Sequence, residues 1–148
     1  MKITKLVVHH SASNSITTKK TDIERWHIQR GFAEIGYHKV IEQNGTIVNG
    51  RAEIKQGAHA KGANSASLGV CVVGNFEKEV PTTAQISSLV SILTEWCKAH
   101  KLNSTHIYGH INVPGGSTKT SCPGKNLKIQ LPIIKHKVTS NLALKESA

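Results

Sequence analysis

The chain has 148 residues, which is enough for one domain with a buried core. No apolar run in the sequence approaches the roughly 20 residues that a membrane-spanning helix needs. The formal net charge is +10, from 19 basic and 9 acidic residues, and this excess favours a polyanionic partner such as nucleic acid or an anionic cell envelope.

The N-terminal segment predicts a buried strand over residues 3–10, because residues 6–8 form a continuous apolar run. Two histidines, His9 and His10, end this strand. The segment lacks the long apolar stretch and the small-residue cleavage site of a signal peptide. We therefore expect the protein to be made and retained in a cytoplasm.

A first helix is predicted over residues 22–30, closed by Gly31. Thr21 and Glu24 have the spacing of a capping box, in which each side chain accepts from the other residue's backbone N–H group. This pattern predicts that the helix begins directly after Thr21.

A hairpin is predicted next, because Asn44-Gly45 is a strong signal for a tight turn between two strands. We expect its strands over residues 37–43 and 46–49. Residues 52–66 contain two glycines and little periodicity, so they are predicted to form a loop. Residues 69–75 are strongly apolar and predict a central strand.

The clearest helix signal follows Thr82, which forms a second capping-box pattern with Gln85. Apolar side chains then fall at helical spacing: Ile86, Leu89, Val90, Leu93, Trp96 and Cys97. A short strand over residues 105–109, a long loop over 111–125 and a short last helix over 131–139 complete the predicted elements.

Strands alternate with helices, and the hairpin adds antiparallel pairing. The predicted fold class is therefore α/β, a single domain with a central mixed β-sheet flanked by helices. We expect this domain to span residues 1–148, with its core at about 3–139. A flexible tail is predicted from about residue 141.

The three cysteines differ in their surroundings. Cys71 and Cys97 lie in apolar patterns and are predicted to be small buried hydrophobic residues. Cys122 lies in a polar, turn-rich loop before Pro123. An odd number of cysteines without a secretory signal argues against a disulfide framework.

His9, His110 and Cys122 form a candidate metal site, because each lies at the end of a predicted strand or in a loop. Imidazole and thiolate ligands suit Zn²⁺, and three protein ligands leave a fourth position open for water. Their spacing alone is a weak signal. His10 is an alternative to His9, because neighbouring strand residues face opposite sides of a sheet.

Short segments that occur in order along the chain carry a family resemblance. They are VVHHSA at 7–12, GYH at 36–38, GAHA at 57–60, LGVCVVG at 68–74, GH at 109–110 and SCPG at 121–124. Together they resemble the N-acetylmuramoyl-L-alanine amidases of the phage-lysozyme and peptidoglycan-recognition-protein superfamily. The resemblance covers about residues 6–131 and is strongest to small phage endolysins.

This resemblance implies zinc ligands at His9, His110 and Cys122 and a catalytic tyrosine at Tyr37. The family carries lysine or threonine two residues before the cysteine ligand, and Thr120 occupies that place here. The chain thus departs from the lysine-bearing phage type. Lys119 is adjacent, so a shift of one residue in this loop is an open alternative.

The resemblance also implies the reaction, which is hydrolysis of the amide between N-acetylmuramic acid and L-alanine in peptidoglycan. His59, Asn64 and Lys119 are the candidate substrate contacts. A non-catalytic peptidoglycan-binding or polymerase-regulating protein on the same fold is the alternative function.

The expected partners are peptidoglycan and an anionic envelope surface. No recognisable nucleic-acid-binding motif accompanies the basic charge, so we expect no nucleic-acid partner. We expect a monomer in the cytoplasm of an infected bacterial host, acting on the cell wall after release.

Overall fold

The computed structural model describes residues 2–147, with side chains to residue 144. Its centre is a five-stranded sheet in the order β3-β2-β4-β1-β5. The strands are β1 (Lys5–His10), β2 (Lys39–Ile41), β3 (Ile47–Asn49), β4 (Ser67–Val72) and β5 (Ile107–Gly109). Strands β2, β4, β1 and β5 run parallel, whereas β3 pairs antiparallel with β2. This mixed sheet, flanked by helices, confirms the predicted fold class.

The β2–β3 pair is the predicted hairpin, with strands shorter than expected. Its turn is closed by a hydrogen bond from the Gly45 N–H to the Glu42 carbonyl, 2.8 Å long. Gly45 has a φ of 91°, which a residue without a side chain adopts at little cost. The Asn44-Gly45 signal therefore identified the turn correctly.

Helices α2 (Thr83–His100) and α4 (Leu131–Ser147) cover one face of the sheet. The core between these helices and the sheet is aliphatic apart from Phe76, Trp96 and Cys97. Its members include Leu6, Val8, Leu68, Val70, Val72, Leu89, Leu93, Trp96, Ile134 and Val138. The predicted apolar stripe on α2 is therefore confirmed as a surface that packs into the core.

The opposite face carries α1 (Lys20–Gln29) and the loop after β3. Val8 packs towards α2 and α4, while Val7 packs on the opposite face against Ala60. Since side chains alternate along a strand, His9 faces the same side as Val7, and His10 faces the other. This alternation separates the two histidines that the sequence left as alternatives.

The two predicted capping boxes have different outcomes. Thr82 and Gln85 form the expected pair of hydrogen bonds at the start of α2, at 3.0 and 3.1 Å. The box predicted for Thr21 is wrong, because α1 begins at Lys20 and Thr21 already lies inside its first turn. The backbone N–H of Lys19 donates instead to the Asp22 carboxylate, at 2.9 Å.

The C-terminal half contains more helix than predicted. A 3-10 turn, Ser104–His106, replaces the start of the predicted fifth strand, and a short helix, α3 (Lys125–Lys128), follows the long loop. The predicted end of α4 at residue 139 is wrong, since the helix continues to Ser147. Leu142 packs against the core, and the Asn141 amide donates to Thr94, which anchors the added turns. The flexible tail stays a prediction.

Among the helices of residues 2–147, none combines the length of a membrane span with the apolar character that such a span requires.

Candidate metal centre and active site

The side chains of His9, His110 and Cys122 converge at the carboxyl-terminal edge of the sheet. Their ligand atoms all lie within 4.8 Å of one another. His9 lies near the end of β1, and His110 directly follows β5, its parallel neighbour. A hydrogen bond of 2.9 Å from the Ile111 N–H to the Cys122 carbonyl returns the long loop to this edge. The predicted trio is therefore assembled by strand pairing and one loop closure.

Cys122 is held against the end of β1. Its Sγ lies 3.5 Å from Nδ1 of His9 and accepts from the backbone N–H of His10 at 3.4 Å. Burial raises the pKa of the Cys122 thiol to about 12, and the His10 N–H acts in the opposite direction. The chain alone therefore keeps this sulfur protonated at neutral pH, whereas a divalent cation stabilises the thiolate.

His9 is 1% exposed and its ring lies 4.7 Å from the ring of His110, centroid to centroid. Burial lowers the pKa of His9 well below its usual value, and the nearby His59 and His110 lower it further. The neutral imidazole that results is the form that binds metals.

The donor set fits zinc. Two imidazoles and one thiol, without a carboxylate, are ligands that zinc favours over magnesium or calcium. His9 and Cys122 are buried, but His110 is only half-buried and borders an open cavity. Three ligands with one open side match the arrangement of catalytic rather than structural zinc sites.

The cavity beside the trio has a volume of about 350 Å³. It is lined by the three candidate ligands together with Tyr37, His59 and Thr120. Larger cavities lie along α2 and α4, but none of the described residues that line them is a histidine. The chemistry of the side chains therefore marks the smaller cavity as the candidate active site.

Tyr37 lies between two histidines of the cavity. Its ring centroid is 5.1 Å from that of His9 and 5.4 Å from that of His27. Burial raises the pKa of the Tyr37 hydroxyl well above its usual value, with further contributions from Cys71 and Cys122. The hydroxyl consequently keeps its proton at neutral pH.

Thr120 and Lys119, which the sequence left as alternatives, lie in different surroundings. Thr120 lines the cavity, and its Oγ1 accepts from the Cys122 N–H at 3.1 Å. The hydroxyl hydrogen of Thr120 is not used in that bond, so it is available to an acceptor in the cavity. Lys119 is exposed and does not line this cavity.

The remaining candidate substrate contacts, His59 and Asn64, differ in whether they line the cavity. His59 lines the cavity, and its ring lies 5.0 Å from that of His9, edge to face. Asn64 does not line it. The Asn64 side-chain oxygen instead accepts from the N–H groups of His59 and Ala60, both at 2.8 Å. Asn64 thus holds the loop that presents His59.

Comparison with known proteins decides the family. The N-acetylmuramoyl-L-alanine amidase family model matches residues 1–125. The chain belongs to the N-acetylmuramoyl-L-alanine amidase family. This membership confirms the enzyme class predicted from the ordered segments.

Individual relatives include both phage and animal proteins. The endolysin of Enterobacteria phage T3 is 34% identical over 129 residues, which cover 83% of this chain and 82% of the relative. Peptidoglycan-recognition protein SC2 of Drosophila melanogaster is 36% identical over 129 residues, with 82% and 68% covered. Among solved structures, the N-acetylmuramoyl-L-alanine amidase LysC from Clostridium intestinale URNW is 33% identical, with a TM-score of 0.82. That alignment covers 93% of this chain and 86% of the solved one.

The cavity of this amidase-family chain also contains side chains from the end of α1 and the loop after it, which were not among the predicted site residues. Arg30 follows α1 and places its guanidinium 5.2 Å from the ring centroid of Phe32. The His27 ring accepts the Gly36 N–H at 2.9 Å on its Nδ1. Arg30 lies at an exposed helix end, which gives no periodic signal, so only the folded loop 31–36 shows that it borders the site.

His10 lies beside the site and is not a member of the trio. Its Nδ1 accepts the backbone N–H of Phe76 at 3.1 Å, and its ring packs near that phenylalanine. This bond occupies His10 on the opposite face of the sheet.

Proposed function

We propose that this amidase-family protein is a zinc-dependent enzyme that hydrolyses the amide bond between N-acetylmuramic acid and L-alanine in peptidoglycan. One observation carries the proposal, which is the convergence of His9, His110 and Cys122 on one side of an open cavity. Family membership supports the bond class, and the donor set supports the metal.

His9, His110 and Cys122 would hold the zinc ion. When bound, zinc supplies an activated water and a Lewis acid at neutral pH. Burial of His9 and Cys122 excludes water from the inner side of the trio, so substrate and solvent approach from the cavity.

Two further side chains would act on the reacting amide. The Thr120 hydroxyl would donate to the carbonyl oxygen, where negative charge develops during attack on the amide. The Tyr37 hydroxyl would hold or move a proton at the attacking water or the leaving nitrogen. Both side chains border the cavity beside the trio, which supports these roles.

The proposed biological role is that of a phage endolysin that lyses its bacterial host. The similarity to the T3 endolysin over 83% of the chain supports this role. The net charge of +10 suits contact with an anionic envelope. We further propose that the protein acts on the wall after release from the host cytoplasm.

Mass spectrometry of digested peptidoglycan tests the reaction. Purified wall material treated with the zinc-loaded protein is expected to release stem peptides with a free L-alanine N-terminus, leaving intact lactyl groups on the glycan. Tight binding of wall material with neither product would contradict the enzymatic proposal and favour a peptidoglycan-binding protein. Products cut at any other bond would contradict the assigned specificity.

A further inference from the structure

His59 is a buried histidine beside the proposed metal centre, and both of its ring nitrogens have hydrogen-bonding partners. Its Nδ1 lies 2.9 Å from Nε2 of His9. Its Nε2 lies 3.2 Å from Oγ of Ser67, a residue with no exposed surface at the start of β4. The side chains of His9, His59 and Ser67 thus form a continuous series of hydrogen bonds that leads away from the cavity.

The donor and acceptor roles in this series of hydrogen bonds are set at Ser67, its inner end. The Ser67 hydroxyl lies 2.8 Å from the Ala63 carbonyl and 3.0 Å from the Asn64 carbonyl. Carbonyl oxygens only accept, so the hydroxyl hydrogen of Ser67 is directed to them. The Ser67 oxygen is then left as an acceptor for a hydrogen on Nε2 of His59.

The hydrogen bonds of His59 continue in the same direction to the metal centre. A neutral His59 with its hydrogen on Nε2 has a lone pair on Nδ1, which accepts from Nε2–H of His9. His9 is then unprotonated at Nδ1, and this nitrogen lies 3.5 Å from Cys122 Sγ. The nitrogen that faces Cys122 is therefore the one that carries the lone pair.

We propose that His59 and Ser67 are positioning residues that fix the tautomer and ring orientation of His9, so that Nδ1 of His9 is presented to the metal. The proposal rests on the proposed zinc site. Metal-binding histidines generally donate their second ring N–H to an oxygen acceptor, and loss of that partner typically costs 10–100-fold in metal affinity. Here a second histidine takes the place of the oxygen acceptor.

Packing holds the His59 ring in this role. A Cβ atom on Gly69 would lie 2.5 Å from Cγ of His59, and one on Gly57 would lie 2.6 Å from its Cδ2. Both glycines therefore leave the space that the ring occupies. The Asn64 side chain fixes the backbone of the same loop by accepting the His59 N–H. The ring is thus fixed by close contacts as well as by its hydrogen bonds.

The tautomers can be measured without any metal. Nitrogen-15 NMR of the chelator-treated protein at about pH 8, above the ordinary imidazole pKa, reports which ring nitrogens carry hydrogen. We expect Nε2–H on both His9 and His59, with Nδ1 unprotonated on both. A hydrogen on Nδ1 of His59 or of His9 would overturn the proposal.

Zinc affinity provides a second readout, measured by competition with a chromophoric chelator. His59→Leu removes both nitrogens at similar volume, and we expect zinc binding to weaken by roughly 10–100-fold. His59→Gln keeps an acceptor and a donor and should recover most of the affinity. Ser67→Ala should weaken binding by about fivefold, the equivalent of one hydrogen bond.

Ser88→Ala is the matched control for Ser67→Ala. Ser88 also donates to a backbone carbonyl, that of Gly45 at 2.6 Å, but it lies on α2 away from the cavity. The zinc affinity of the Ser88→Ala variant should equal that of the wild type. Circular dichroism and thermal unfolding establish that each variant is folded before its affinity is compared.

Wild-type zinc affinity in folded His59→Leu and Ser67→Ala would also overturn the proposal. Equal loss of affinity in His59→Gln and His59→Leu would show that zinc binding depends only on the shape of the His59 ring. That result would contradict a role for its hydrogen bonds. If the wild type itself binds no zinc, the proposed function fails, while the NMR measurement still decides the tautomers of His9 and His59.

Discussion

The proposed metal centre is uncharged before metal binding. Burial lowers the pKa of His9 and raises that of Cys122 to about 12, so both side chains are neutral near pH 7. Cys122 must lose its proton to serve as a ligand, and zinc uptake is therefore expected to release a proton. The thiolate that forms on binding is stabilised by the charge of the cation itself.

Replacement of the sulfur ligand tests this centre at the level of one atom. Cys122→Ser is expected to lose most bound zinc and peptidoglycan hydrolysis while remaining folded. The measurement is metal content by mass spectrometry, with circular dichroism as the check on folding. Cys97→Ser is the matched control, because Cys97 is buried in the α2 core and should affect stability but not zinc. Full zinc content in Cys122→Ser would contradict the ligand assignment.

Substitution of Tyr37 distinguishes a role in proton transfer from a role in metal binding. Tyr37→Phe removes only the hydroxyl, so we expect turnover to fall by about 10²–10⁴-fold with zinc content unchanged. Initial rates of stem-peptide release and metal analysis of the same sample give both quantities. Metal loss in this variant would mean that Tyr37 supports the ligands rather than the reaction.

At the scale of whole elements, local signals located several structural features correctly. Asn44-Gly45 identified the hairpin turn, and Thr82 with Gln85 identified the start of α2, because both patterns depend on near neighbours in sequence. The pattern at Thr21 predicted the wrong start for α1, because Lys19 and Asp22 have the same three-residue spacing and form the observed hydrogen bond. The length of α4 depends on contacts with α2, which periodicity in a short segment does not reveal.

The two threonines give a direct comparison of a true cap with a false one. The Thr82 hydroxyl accepts from Gln85 and donates to the Gln43 carbonyl, so Thr82→Ala should cost about 1–2 kcal/mol of unfolding free energy. Thr21 is exposed within α1, and Thr21→Ala should change stability by less than about 0.5 kcal/mol. Urea denaturation measures both. Equal losses would contradict the observed helix starts.

The candidate site was only partly predictable for the molecule as a whole. His9, His110 and Cys122 lie in ordered segments that carry the family resemblance, and these could be identified before the fold. Ser67 gave no signal, because a single serine beside an apolar strand has no recognisable pattern. Its contact with His59 exists only after β4 and the preceding loop have folded together.

Net charge acts on the whole molecule rather than on one site. With a charge of +10, association with anionic wall material should weaken as ionic strength rises from about 0.05 to 0.5 M, because the Debye length shortens. Sedimentation of the protein with purified walls measures this association. Cleavage of a small soluble wall fragment should depend much less on salt. Wall association that does not respond to salt would contradict an electrostatic contribution.

X-ray absorption at the zinc edge of the purified, zinc-loaded protein tests the central proposal most directly. We expect one sulfur at about 2.3 Å and two imidazole nitrogens at about 2.0–2.1 Å, with the sulfur contribution absent in any zinc that Cys122→Ser retains. A wild-type spectrum with no sulfur ligand, or with two, would contradict a site formed by His9, His110 and Cys122.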